Sequence, residues 1–506
     1  MRTSLSLSLS LSLSLSLSFG VVCGDAAAQT PADSTWFLPL DRHAAAAHAS
    51  TASTVQPVAG FRWHAAAASA AHAGNDTTDS TQTTDSTRRA EVFAGFDLST
   101  AFRTGGGMGG RGVGAVGAEA AGKRWTASGT AEVWRWGGAV APARTEAGRV
   151  AGLGRAWMRR EGAAGLEAVR FVGRAAWTLS PSVQLEGGVH PHHWGAGWRS
   201  VWLDRAADPL PYLRASLGRD RVRYVHLIAR TSTDETTPTA GWLAAHAVDV
   251  DLGAGFTGTL FGAVRWLEAD TGYRFRFPLA YAVPAVAFRP LEYAAGSADN
   301  ALIGAALLWK RGVWTAYAQG ALDEFLYREV RAQSGWWGTK WAALVHVARS
   351  GPHGGVLLEG AAVRPYTFSH VDPGTAWAHH GIPLGHPAGA NFAEVRMAGE
   401  RRWGPWRLRA SAVRRVQGEG PRIGTDVAST YIDRPANYGI STVWIGGGAV
   451  PEARWARTWW ATVDAARRLD RLGGQEAFVR AVAATETGFV VECGLRTDRV
   501  WGDRTW

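Results

Sequence analysis

Long apolar runs are missing from this 506-residue chain: no stretch of eighteen or more consecutive apolar residues occurs, so no membrane-spanning helix is expected. Cysteine is nearly absent. Of the two present, Cys23 falls within a stretch that reads as an export signal, leaving Cys493 alone and excluding an internal disulfide or a cysteine metal cluster. Lysine supplies only Lys123, Lys310 and Lys340 among 53 basic residues, so the formal charge of +10 is an arginine bias spread along the chain. No clustered basic face or nucleic-acid motif accompanies it, and no nucleic-acid partner is expected. G-x-S-x-G, P-loop and zinc-hydrolase motifs are lacking too. The expected protein is therefore not an enzyme, with no catalytic residue, metal ligand or cofactor.

Glycine (62) and tryptophan (26) are abundant. Glycine suits the crowded inner side of tilted strands, and tryptophan anchors a membrane rim. The stretch from Asn300 to Val347 shows how they are deployed. Ile303, Ala305, Leu307 and Trp309 alternate with Gly304, Ala306 and Leu308; after the turn Lys310-Arg311-Gly312, Trp314, Ala316 and Ala318 alternate with Thr315, Tyr317 and Gln319. Period two means strand, and the short glycine turn makes a hairpin. A charged segment from Asp323 to Ser334 follows, and Trp336 and Trp337 then open a third strand in which Trp341, Ala343, Val345 and Val347 share one side. An apolar row facing lipid, a small and polar row facing a wet interior, and aromatics at both ends describe a transmembrane β-barrel.

Met1 to Ala28 reads as a signal peptide, with Arg2, a Ser-Leu core and Ala26-Ala27-Ala28 as the cleavage site. Residues 29–89 are low in complexity and read as a partly disordered or short-helical periplasmic segment. The barrel is expected over 90–506, beginning with Glu91 to Phe102 and including Trp125 to Val133, Val172 to Thr178, Val183 to Val189, Tyr224 to Ala229 and Val248 to Phe256. Val356 to Val363, Trp406 to Val413, Trp459 to Ala465, Phe478 to Val482 and Phe489 to Leu495 continue it, and Trp506 gives an aromatic carboxy terminus. About 415 residues suit an all-β antiparallel barrel of roughly 16 to 18 strands.

Two segments break the rhythm. Gly187 to Leu217 carries His190, His192, His193, Trp194, Trp198 and Trp202; the histidines read as a solvated polar turn, and the indoles suit stacking on sugar rings or anchoring at an interface. Pro365 to Met397 holds His386, Asn391 and Glu394 in a loop able to fold inward as a plug or line a binding surface. Asp323 and Glu324 are adjacent, point to opposite faces on a strand and are poor acid–base partners; a loop salt bridge is expected of them.

These stretches carry a resemblance. Pro365 to Met397, HHWGAG at His192 to Gly197, LDEF at Leu322 to Phe325 and GWWGTKW at Gly335 to Trp341 together resemble the capsule-assembly Wzi family in its Bacteroidetes-type forms. The chain departs from that pattern at His193, where tryptophan is usual, and at Ala196, where proline is usual. The resemblance implies an occluded barrel in the bacterial outer membrane, acting as a lectin for capsular or other surface polysaccharide. The contacts it points to are His193, Trp194, Trp198, Asp323, Glu324, Trp336, Trp337, His386, Asn391 and Glu394. Further expected partners are outer-membrane lipid and lipopolysaccharide, whose phosphates suit arginine, and the barrel-assembly machinery during biogenesis. A diffusion porin, a gliding-related envelope protein and an outer-membrane hydrolase are the competing expectations.

Overall fold

The computed structural model describes residues 89–103, 108–138, 149–150, 154–158, 165–219, 221–233, 239–270, 273–274, 281, 299–332, 334, 336–419, 424–425, 427, 454–469, 475–485 and 488–496. The signal peptide, nearly all of the low-complexity segment and Trp506 lie outside them. Eighteen strands form the wall. The first six are β1 (Arg89–Arg103), β2 (Met108–Ala121), β3 (Trp125–Gly138), β4 (Gly165–Ser180), β5 (Val183–His190) and β6 (Leu210–Arg219). Next come β7 (Val222–Ser232), β8 (Ala240–Gly253), β9 (Phe256–Leu267), β10 (Asn300–Arg311), β11 (Trp314–Leu322) and β12 (Trp341–Gly351). The last six are β13 (Gly354–Val363), β14 (Phe392–Trp403), β15 (Trp406–Glu419), β16 (Arg454–Leu469), β17 (Gln475–Ala484) and β18 (Gly488–Arg496). Each pairs antiparallel with its neighbours, and β18 returns to β1, so the barrel is closed and has no free edge.

Alternation decides which side chains face out. On β12, Val345 and Val347 are exposed while Ala342, Leu344, His346 and Ala348 are buried; Phe171, Leu213, Leu260 and Met397 extend the outer apolar belt. Exposed Trp125, Trp177, Trp314, Trp403 and Trp406 ring the end where the turns take only two to five residues. The opposite end carries the long connections, among them 191–209, 323–340 and 364–391.

Three expectations need correction. Val248 to Phe256 is not one strand: β8 ends at Gly253, Ala254 adopts a left-handed φ of 51°, and β9 starts at Phe256. The alternation of this stretch runs straight through the turn, which is why period alone hid it. Trp336 and Trp337 do not open a strand; they lie in the connection before β12.

The third correction concerns the wet interior, which is only half right. Along β7 to β13 much of the inward row is apolar: Leu227, Leu243, Phe261, Leu302, Leu308 and Leu344 form one core with Trp194, Trp202, Phe368, Trp377 and Leu384 from the two long connections. Those connections fold into the lumen and bury their indoles there. Around the rest of the wall the inward row is charged, and the register sets acid against arginine. Glu492, Arg480, Asp464, Arg409 and Glu400 lie directly opposite one another on β18, β17, β16, β15 and β14, a row of alternating sign. Glu132 with Arg170 and Glu186 with Arg214 repeat the arrangement on β3–β4 and β5–β6. Opposed charges of this kind stabilise a sheet by about 0.2–1 kcal/mol per pair.

Candidate functional site

The plug is held by inward side chains that supply what its backbone lacks. Gln319 on β11 accepts from Val201 N at 2.9 Å and donates through Nε2 to Trp194 O at 2.8 Å. Glu359 on β13 accepts from Trp198 N and from Arg199 N, the latter at 3.0 Å, with His346 Nδ1 of β12 at 3.1 Å from the same carboxylate. Trp202 Nε1 donates to Gly320 O at 2.9 Å, an approach open because residue 304 is glycine: a Cβ there would sit 2.5 Å from that nitrogen. The two loops also hold each other. Trp377 Nε1 donates to Trp202 O at 2.8 Å, Asp204 N to Leu384 O at 2.7 Å, and His380 lies 3.3 Å from Asp208.

The ten sequence-derived contacts separate into three groups. Trp194 is 1% exposed and meets Phe261 edge to face, so it belongs to the plug core and has no surface for a ligand. His193 sits with Nε2 3.0 Å from Gly197 O, and burial pushes its pKa down to about 4, leaving it neutral. The expected solvated turn is thereby corrected: His190 turns to Pro191 O, and His192 packs edge-on against Tyr212.

A second group lies inside, beside the plug. Half-buried Trp198 has the guanidinium of Arg205 5.6 Å and that of Arg396 6.0 Å from its ring centre. Glu394 on β14 accepts from Arg415 at 2.8 and 2.6 Å, and His386 packs against Phe392 with Nε2 3.8 Å from Glu394. Burial, ahead of the opposing pull of Glu394, pushes His386 down to about 3. Asn391 takes a left-handed φ of 54°, and its carbonyl accepts from Gly418 N of β15, closing the loop on the wall. These side chains are engaged in structure.

The third group forms a ledge at the long-loop end. Trp336 and Trp337 lie with ring centres 5.7 Å apart, and Trp337 meets Tyr366 edge to face. Both indoles are half-buried. Beneath them Lys340, fully buried, donates to Ser369 O at 2.8 Å and sits 3.3 Å from both Asp323 and Glu324, while Asp323 accepts from Phe368 N. The salt bridge expected of the acidic pair is present, with Lys340 as its partner. Burial first, against the pull of Lys340, pushes the Asp323 carboxyl up to about 6. Glu324 keeps a fifth of its side chain exposed and has His370 at 3.7 Å. The ledge thus offers two partly exposed aromatic rings and one partly exposed carboxylate beside a buried lysine.

Sequence reasoning missed Gln319, Glu359, Arg265 and Lys340 as plug holders. Arg265 donates to Gly374 O and, at 2.6 Å, to Ala376 O. Their one signal was a long polar or charged residue on the inward row or strand end of a stretch whose other inward neighbours are small or apolar.

No protein-family model matches the chain, and no curated protein matches it. Among solved structures, the fold is similar to Escherichia coli Wzi, described as an outer-membrane protein involved in group 1 capsule assembly and a carbohydrate-binding β-barrel. That match has TM-score 0.50 and 11% identity, over 79% of this chain and 83% of that one. Pseudomonas aeruginosa OccK9 (TM-score 0.42, 10% identity, 80% of this chain and 97% of that one) and OccD3 (0.41, 9%, 80% and 90%) also match. The likeness is one of fold: a large closed barrel of the outer-membrane kind.

Proposed function

We propose that this chain is a non-enzymatic protein of the bacterial outer membrane, distantly akin to the Wzi family, that holds capsular or other surface polysaccharide at its long-loop end. The observation that carries the proposal is the ledge of Trp336 and Trp337, its indoles paired and partly exposed at the long-loop end while Trp194, Trp202 and Trp377 are consumed in the plug core. Indole faces stack on the CH face of a pyranose, and a carboxylate such as Glu324 accepts from its hydroxyls. The fold shared with a barrel described as carbohydrate-binding supports the same reading.

A glycan array probed with the purified barrel tests it. Wild type retains a surface polysaccharide; Trp336→Ala and Trp337→Ala each weaken that binding about tenfold, roughly 1.4 kcal/mol, with the thermal midpoint unchanged. Unchanged binding in both variants rejects the ledge, and no binding by wild type rejects the function.

A second reading, a diffusion porin, is favoured by the charged inward wall of β14 to β18, where polar groups would line a watery path. It predicts ion conduction through single barrels, whereas a sealing plug predicts almost none.

A further inference from the structure

The connection between β11 and β12 contains a helix, Tyr327–Ala332, that buries none of its residues. Val330 N bonds Leu326 O, so Leu326 belongs to its first turn. At about 100° per residue, Leu326, Tyr327 and Val330 share one arc of the helix, with Arg331 and then Arg328 following around the same flank. Their exposures, 41% for Leu326, 72% for Tyr327 and 47% for Val330, make this an uncovered apolar stripe. Arg328 is 81% exposed at its side chain, and Arg331 is exposed as well. Glu329, the one acid, is turned to Ser334 Oγ at 2.8 Å and to Arg328.

The stripe adjoins a surface whose covering is already fixed. Leu322, the last outward residue of β11 and 36% exposed, ends the row begun by Trp314, Ala316 and Ala318, and Leu326 follows four residues later. The outward row of a barrel strand is covered by lipid up to the headgroups, and a short helix with an apolar face flanked by arginine suits the boundary just beyond. Guanidinium pairs with phosphate in two parallel hydrogen bonds. A helix this short gains little from its own hydrogen bonds in water, so an apolar surface to lie on is what keeps it folded.

We infer that the Tyr327–Ala332 helix is an interfacial element that lies on the outer leaflet, with Leu326, Tyr327 and Val330 entering the acyl boundary and Arg328 and Arg331 meeting phosphates of the glycolipid headgroups. The inference rests on the membrane placement proposed above. It also gives the glycan ledge, four residues beyond the helix, a fixed height above the lipid.

The test uses the full mature barrel with Cys493→Ser and single cysteines at Tyr327→Cys, Val330→Cys and, as the belt control, Val345→Cys, each carrying an environment-sensitive fluorophore. Barrels are reconstituted into phosphatidylcholine and phosphatidylglycerol vesicles brominated either high or midway along the acyl chain. Val345 is quenched by the mid-chain bromines. The labels at 327 and 330 are quenched by the shallow bromines and shielded from aqueous iodide. Quenching at 345 with full iodide access at 327 and 330 overturns the helix alone; no lipid quenching at 345 overturns the membrane placement and the helix with it. Shielding that grows with protein density assigns the stripe to a second copy of the chain and overturns the lipid assignment. In a second arm, lipopolysaccharide raises the thermal midpoint of wild type and inorganic phosphate does not; the Arg328→Glu, Arg331→Glu double variant loses most of that rise. An equal rise in both proteins removes the arginines from the account.

Discussion

At the scale of single residues, burial separates the histidines and acids that the sequence presents alike. His386 lies against Phe392 with its pKa pushed down to about 3, so the folded protein holds it neutral where the unfolded chain titrates near 6.5. A base lowered in the folded state binds fewer protons than its unfolded counterpart, and stability falls as pH drops below 6.5. His386→Gln should flatten that fall by up to about 1.4 kcal/mol per pH unit, read from urea unfolding in detergent micelles at a series of pH values. An unaltered slope would place the ring in solvent. Asp323 acts in the opposite sense: an acid raised to about 6 favours the folded state as pH falls from 6 towards 3.8. Neither environment was legible from the sequence, because His386 sits among glycine and proline and Asp323 beside a second acid in a charged connection, where a solvated loop and a buried latch have the same composition. The partial exposure of Trp336 and Trp337 was equally hidden, since Trp194 and Trp202 look no different in a string of letters and are sealed inside.

At the scale of elements, strands of one period were plain and their ends were not. The hairpin of β10 and β11 and the outward row of β12 follow directly from alternation, because each side chain has only two directions to take. The break at Ala254 escaped because Val250, Leu252 and Phe256 keep the rhythm while the backbone reverses. The loops were recognisable as interruptions, and one as a possible inward plug, but what fastens them depends on contacts such as Gln319 to Val201 between residues far apart in the chain. Gln319→Ala leaves Val201 N without its partner inside the lumen, while Trp194 O keeps Ser200 Oγ at 2.6 Å, a loss of about 1–3 kcal/mol. Hydrogen exchange at the amides of 200–203 should quicken accordingly while the amides of β14 to β18 stay protected. Unchanged exchange at Val201 would show that the loop is held without Gln319.

At the scale of the whole molecule, the arginine excess takes on a structural meaning on one side of the lumen. Register sets Arg480 between Asp464 and Glu492, and Arg409 between Asp464 and Glu400, so the wall is tied around its circumference by neighbours of opposite sign. Arg480→Glu would put three acids side by side and should destabilise the barrel by about 1–2 kcal/mol through two reversed pairs, measured as a lower urea midpoint. Across from this wall the plug packs indoles and leucines against β7 to β13, so the lumen is filled where the loops enter it. Closure of the barrel by that plug is the claim on which the glycan-holding role and the separation of ledge from wall both depend. Planar-bilayer recording of the purified wild-type protein is the sharpest check: a plugged barrel inserts with almost no ionic current, and steady open-channel steps from each inserted barrel would refute closure.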